Sequence, residues 1–237
     1  RSQEKRWTRV IRARLAEWVT AQAKPTVENA LAGMGLSAWV RAEEDRLYIG
    51  YEPLFEETGF VRPEVLVEFG TRSTGEPQSY RRVVCDAAAF LPDLVFPETY
   101  TTVMLAERTF WEKATAVHVF CRQERRRGER PSRHWNGLVR LDEAGIAATA
   151  LANRALALSV ARHKTMFFSG NDASGERIDH EAAVSGELQL VPSGTAYSVL
   201  ADDYVRMLVD GMLLDECEPF DSLMERCAAI EKRANNV

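Results

Sequence analysis

The sequence predicts an α+β protein, with a small sheet domain over residues 1–104 that opens on a basic helix, and a helical domain over 105–237. Two observations carry this. Runs with strand-like alternation concentrate before residue 105, and helical periodicity dominates after it. A chain of 237 residues is also long enough for one large domain or two small ones with real cores.

The elements follow in order. Trp7, Ile11, Leu15, Trp18 and Gln22 recur at three- and four-residue spacing, with Val10 and Val19 beside them, which predicts a helix over 3–22. Its other faces carry Arg1, Lys5, Arg6, Arg9, Arg12 and Arg14, either a solvated basic face or a rail for phosphates. Pro25 ends this helix or starts the next, over 26–32, and Gly33 and Gly35 break the pattern. Short strands are expected at 37–42 and 46–51 around a turn at 43–45. The strongest strand pattern is 64–70, where Val65, Val67 and Phe69 alternate with Glu64, Leu66 and Glu68. A carboxylate in so apolar a strand is either buried, and then paired, metal-bound or shifted in pKa, or it marks an exposed face. Further strands are expected at 80–84 and 100–105, with Asp86 capping a short helix that stops before Pro92.

The stretch 105–141 organises the second half. It reads as a helix, a basic loop and a second helix. On a wheel, Ala106, Phe110, Val117, Phe120 and Cys121 share one side, and Lys113 falls in the middle of it. Such a lysine either snorkels at the edge of a packed helix or needs an anionic partner, from the fold or from a ligand phosphate. The loop 122–133 holds six arginines against two glutamates, and Ser132 is placed to cap the helix that follows. Beyond it, 143–164 reads as helix, 169–186 as a polar loop, 187–191 as a short strand, and 196–210 and 219–234 as helices.

Composition excludes several classes. The net charge of −5 means that nucleic-acid contact must come from a local basic patch. No run of about 18 apolar residues occurs, so no membrane span is expected. The four cysteines have no C-x-x-C spacing and no histidine cluster, which points to reduced thiols in the cytoplasm rather than a zinc site or a disulfide frame. His134 reads as structural, and the other histidines are scattered. The chain opens in a helical pattern without methionine, the expectation for a start inside a larger unit.

ERTFWEK at 107–113 and SRHW at 132–135 carry a resemblance. With RPEVLVEFGTRS at 62–73 and the tail from Asp203 onward, the chain resembles the AbiEii/AbiGii nucleotidyltransferase toxins of type IV toxin–antitoxin pairs. The resemblance implies the remainder of a polymerase-β-type sheet domain followed by helices, with NMP transfer from an NTP to an RNA acceptor, expected to be tRNA. It also implies Mg2+ and a cognate antitoxin. It places Glu68 as a catalytic, metal-binding carboxylate and Lys113 as the lysine that contacts the triphosphate. Arg108, Arg125, Arg126, Arg127, Arg130 and Arg133 become nucleotide- or RNA-binding residues.

The sequence departs from that pattern in two places. No Gly-Ser turn followed by a D-x-D strand precedes Glu68, as if the family's first segment were missing; in related proteins those motifs lie N-terminal to the equivalent of Arg1. Relatives read SRHWYDL, with a catalytic aspartate, where this chain has Asn136 and Gly137. The expectation is therefore a chain that folds but does not transfer nucleotides. The alternatives are a degenerate remnant that binds antitoxin or nucleotide, and a helical scaffold whose arginines are only solvated.

Overall fold

The computed structural model describes residues 2–53, 62–70, 75–123, 131–210 and 218–236, with side chains described from Arg9 onward. The fold is α+β. The chain divides into two compact units, Arg1–Thr74 and Gly75–Val237. The hairpin between them in sequence, assigned to the first domain by its strand character, clusters with the second unit.

In the first unit, α1 (Ser2–Trp18) runs without a break through a π-turn (Val19–Ala23) into α2 (Lys24–Gly33). Pro25 lies in the first turn of α2, directly after the π-turn, where the altered bonding accommodates a residue that has no N–H to donate. The wider π-turn before it is closed by a bond from the Lys24 N–H to the Val19 carbonyl. Strands β1 (Ala38–Glu43), β2 (Arg46–Tyr51) and β3 (Glu64–Glu68) form an antiparallel sheet in sequence order. Val19, Ala23, Val40 and Leu47 form the core of this unit, and Leu15, Val27, Leu31, Val67 and Phe69 pack around it. The inward alternation of Val67 and Phe69 agrees with the sequence pattern, and Trp18 meets Phe69 edge-on at 5.5 Å.

The opposite face of the sheet has one tight contact. Trp39 pairs with Gly50 across β1 and β2, and a Cβ at 50 would lie 1.9 Å from the Trp39 ring. Glycine is there so that the indole can cover the neighbouring strand. Gly50→Ala is expected to displace that ring and cost about 1 kcal/mol, a cross-strand magnitude. The cost should vanish in a Trp39→Ala background, and a double-mutant cycle on urea midpoints checks it. Additive effects would mean that the ring does not sit on Gly50.

The second unit opens with the antiparallel hairpin β4 (Gln78–Val84) and β5 (Glu98–Met104), a separate two-stranded sheet. Between them Asp86–Ala89 form a 3-10 turn whose N-cap position is Cys85, so Asp86 begins the turn instead of capping it. The remainder is helical. Helix α3 (Ala106–Gln123) is its hub and packs against α4 (Arg133–Glu143), α5 (Ile146–Ala152) and α6 (Arg154–Phe167). The helix expected over 143–164 is broken twice. Gly145 adopts φ 76 after α4, and Asn153 caps α6 by accepting the Leu156 N–H at 3.0 Å.

The expected loop 169–186 contains a helical turn, α7 (His180–Ala182), which runs into a second π-turn (Ala183–Glu187). Asp179 caps it by accepting the N–H groups of Glu181 and Ala182. Helices α8 (Gly194–Val209) and α9 (Phe220–Asn235) complete the unit.

The strand expected at 187–191 does not form: Glu187 ends the π-turn, Leu188 is extended, and 188–191 join no described sheet. Their backbone is bonded by side chains instead. Asn235 accepts the Leu188 N–H and donates to its carbonyl, both at 2.8 Å. His118 Nδ1 accepts the Gln189 N–H at 3.0 Å. Glu231 accepts the N–H groups of Leu190 and Val191, and Trp135 Nε1 donates to the Leu190 carbonyl at 2.6 Å. A largely buried segment that pairs with no strand needs such partners, because unpaired buried peptide groups cost about 1–3 kcal/mol each.

Candidate functional site

Lys113 lies on α3 with its side chain half-buried against the next helix. A Cβ at Gly137 would stand 3.1 Å from both its Cε and its Nζ. The lysine therefore crosses from α3 to α4 at the one position of α4 where no side chain stands in its way. Among the described residues it makes no hydrogen bond and no ion pair. Burial lowers its pKa, and the positive charge of Arg133 adds to the effect. Arg133 is four residues before Gly137 on α4, so both face the same way. The anionic partner that a buried ammonium requires is not supplied by the described fold.

His134 belongs to the same cluster. Its Nδ1 is buried without a hydrogen-bond partner among the described residues. Its pKa is pushed down to about 4, first by burial and then by the charges of Lys113, Arg133 and Lys164. Lys164, from α6, also lowers the pKa of His180, after burial. Cations from three helices thus surround one histidine, and no carboxylate is among the charges acting on Lys113 or His134. The sequence reading took His134 as structural and did not single out Lys164. Only the SRH run beside the arginine loop signalled the former, and the latter had no local signal.

The other expected site residues fall elsewhere. Glu68 ends β3 opposite Arg46 and is ion-paired to it at 2.9 Å, with its side chain 60% exposed. The exposed-face reading of this carboxylate therefore describes it, and the sheet register provides its partner. It belongs to the first unit and Lys113 to the second. Arg108 is 2% exposed, and its Nε donates to Glu112 at 2.9 Å. Packing on several sides of α3 encloses this guanidinium, so it does not present an RNA contact to solvent. Arg125, Arg126, Arg127 and Arg130 lie outside the described residues.

Ser132 occupies the N-cap position of α4 but does not cap with its own oxygen. Its N–H and Oγ–H both donate to Asp203 of α8, at 3.0 and 2.6 Å. Asp203 thus sets a negative charge at the positive end of α4 and holds the start of the helix that carries Arg133, His134 and Gly137.

Among the described residues no group of three or more His, Cys, Asp or Glu is placed to hold a metal ion. Glu68 is engaged by Arg46, and Gly137 offers no carboxylate. The described residues do not by themselves fit a two-ion magnesium site. Nor is any described helix long and apolar enough to cross a membrane.

The helical unit gathers Lys113, Arg133 and Lys164 around one histidine, in a chain that also carries a small sheet unit, a cationic cluster within an α+β protein. The particular family follows from comparison. The family model described as "Nucleotidyl transferase AbiEii toxin, Type IV TA system" matches residues 2–226, and the chain belongs to that family. Membership places it among nucleotidyltransferase-like toxins of toxin–antitoxin systems and implies a cognate antitoxin. No curated protein and no solved structure matches the chain.

Proposed function

We propose that this chain holds the phosphates of an NTP at Lys113. With the D-x-D carboxylates of its family supplied, it transfers an NMP group to an RNA acceptor, tRNA. The observation that carries the reading is the half-buried Lys113 ammonium, without an anionic partner among the described residues and flanked by Arg133 and His134. In the transfer an acceptor hydroxyl oxygen bonds to the α-phosphorus and gives up its proton to water. The bond from that phosphorus to the bridging oxygen breaks, and pyrophosphate leaves with the negative charge. Lys113 and Arg133 offset that charge where it develops. Mg2+ is the ion this chemistry calls for, and Glu68 is the carboxylate of this chain that would join the D-x-D pair in holding it. The thiols of Cys85, Cys121 and Cys227 are free, which fits a reducing cytoplasm.

A second reading, binding without transfer, is favoured by Gly137. An aspartate there would stand against the Lys113 ammonium, and glycine leaves that position without charge. The chain from Arg1 to Val237 is therefore expected to bind NTP weakly and to leave tRNA unlabelled. The test incubates the purified protein with each labelled NTP, Mg2+ and total tRNA. Robust labelling that disappears in Lys113→Ala would show that the carboxylates have been misplaced and that this chain transfers nucleotides.

The loop arginines give a separate expectation. If Arg125, Arg126, Arg127 and Arg130 hold acceptor phosphates, tRNA affinity should fall steeply with salt, with a slope of roughly −0.7 per contact. Replacing all four with alanine should flatten the salt series. Equal slopes for the two proteins would remove the loop from the RNA site.

A further inference from the structure

The hairpin of β4 and β5 is exposed on both faces and pairs with no further strand among the described residues. Its register puts Tyr80, Arg82, Tyr100 and Thr102 on one face, and Arg81, Val83, Thr101 and Val103 on the other. Tyr80 is 76% and Tyr100 63% exposed on the first face, and Val83 and Val103 are exposed on the second. The connection between the strands adds Phe90, Leu94 and Val95, all exposed. A two-stranded hairpin is marginal by itself in water, whereas a sheet of three or more strands is stable.

The two edges of the hairpin differ. β4 carries Arg81 and Arg82 at its centre, charges of the kind that keep an edge from pairing. β5 reads ETYTTVM, and from Thr99 to Ala106 the chain has no charge, no proline and no glycine. Threonine, tyrosine and valine fill that edge, the composition that favours strand pairing. Its outward N–H and C=O groups are a template for one more strand.

A strand of the same sequence fits that template. Paired antiparallel about Thr101, two β5 strands match over their whole length. Thr99 falls opposite Val103 of the other copy, Tyr100 opposite Thr102 and Glu98 opposite Met104, so no like charges meet. The same operation on β4, about Arg81 or Arg82, sets arginine against arginine. In a sheet of order β4–β5–β5–β4 the two Arg81 residues stand three strand spacings apart. That is roughly 14 Å, beyond the screening length of about 10 Å. Such a twofold contact also closes on itself, so it makes a dimer and not a fibre.

We infer that the free edge of β5 is a self-association surface, where two copies of this chain pair their β5 strands antiparallel about Thr101 and form one four-stranded sheet. The pairing satisfies the outward backbone groups of both strands. It also carries the exposed tip of each hairpin, with Phe90, Leu94 and Val95, alongside the place where β5 of the other copy enters α3.

Sedimentation velocity on the full chain, across a concentration series, should show a monomer–dimer equilibrium. Thr99→Lys combined with Val103→Lys sets lysine opposite lysine twice across the twofold axis and should weaken the dimer about tenfold or more. Thr99→Glu combined with Val103→Glu should do the same. Mixing the two double variants sets each lysine against a glutamate and should restore a dimer, which also shows that both have folded. Thr99→Val, which keeps the edge uncharged, should leave the dimer intact. Wild type that stays monomeric throughout the series overturns the inference. A dimer that survives both double variants lies on another surface and overturns it too. Double variants that stay apart when mixed rule out pairing about Thr101.

Discussion

Trp135→Ala is expected to destabilise the helical unit by about 3–5 kcal/mol, the range for removing a large buried aromatic side chain. Trp135 is 1% exposed and meets Phe120 edge-on at 5.0 Å, which joins α4 to the hub helix. Its Nε1–H also donates to the Leu190 carbonyl at 2.6 Å. The two contributions separate in Trp135→Phe, which keeps the ring contact but leaves a buried carbonyl without its donor, at about 1–3 kcal/mol. Urea unfolding followed by circular dichroism reads both values. If Phe were as damaging as Ala, the hydrogen bond to the unsheeted segment would dominate over packing. If neither variant lowered the midpoint, the core would not be organised around this residue.

Stability should also fall as pH drops from about 6.5 to about 4. His118 is buried, and its pKa is pushed down to about 4 by burial, with His180 and Arg122 adding like charge. His134 is pushed down to about 4 as well. In the unfolded chain both titrate near the ordinary histidine value, about 6.5. Between the two values the unfolded state binds more protons, so stability rises with pH across that window and is lost on acidification. A depression of this size corresponds to about 3 kcal/mol for a well-buried histidine, and less for the partly buried His134. For His118 the mechanism is specific, because Nδ1 accepts the Gln189 N–H and has no lone pair left for it once protonated. His118→Asn keeps an acceptor and cannot titrate, so it should flatten much of the slope. An unchanged profile of midpoint against pH in that variant would assign the acid sensitivity to other groups.

The periodic patterns set much of this protein before any tertiary contact is considered. The α+β class, the inward alternation of Val67 and Phe69 and the α3 helix with Lys113 on one face all follow from spacing, because helix and strand periods are local properties. The ERTFWEK and SRHW motifs sufficed for the family. What spacing does not carry is partnership across distance. The segment 188–191 has a strand's sequence pattern, but whether a strand or side chains bond it depends on His118, Trp135, Glu231 and Asn235, about 40–70 residues away. The strand pattern left Glu68 either buried or on an exposed face, and sheet register places it exposed, opposite Arg46. Arg108 is a nucleotide- or RNA-binding residue by resemblance, and its burial is decided by the packing around α3. The cation cluster is the clearest case. Lys113, His134 and Lys164 come from three helices, and only the packing of those helices brings their charges close enough to act on one another.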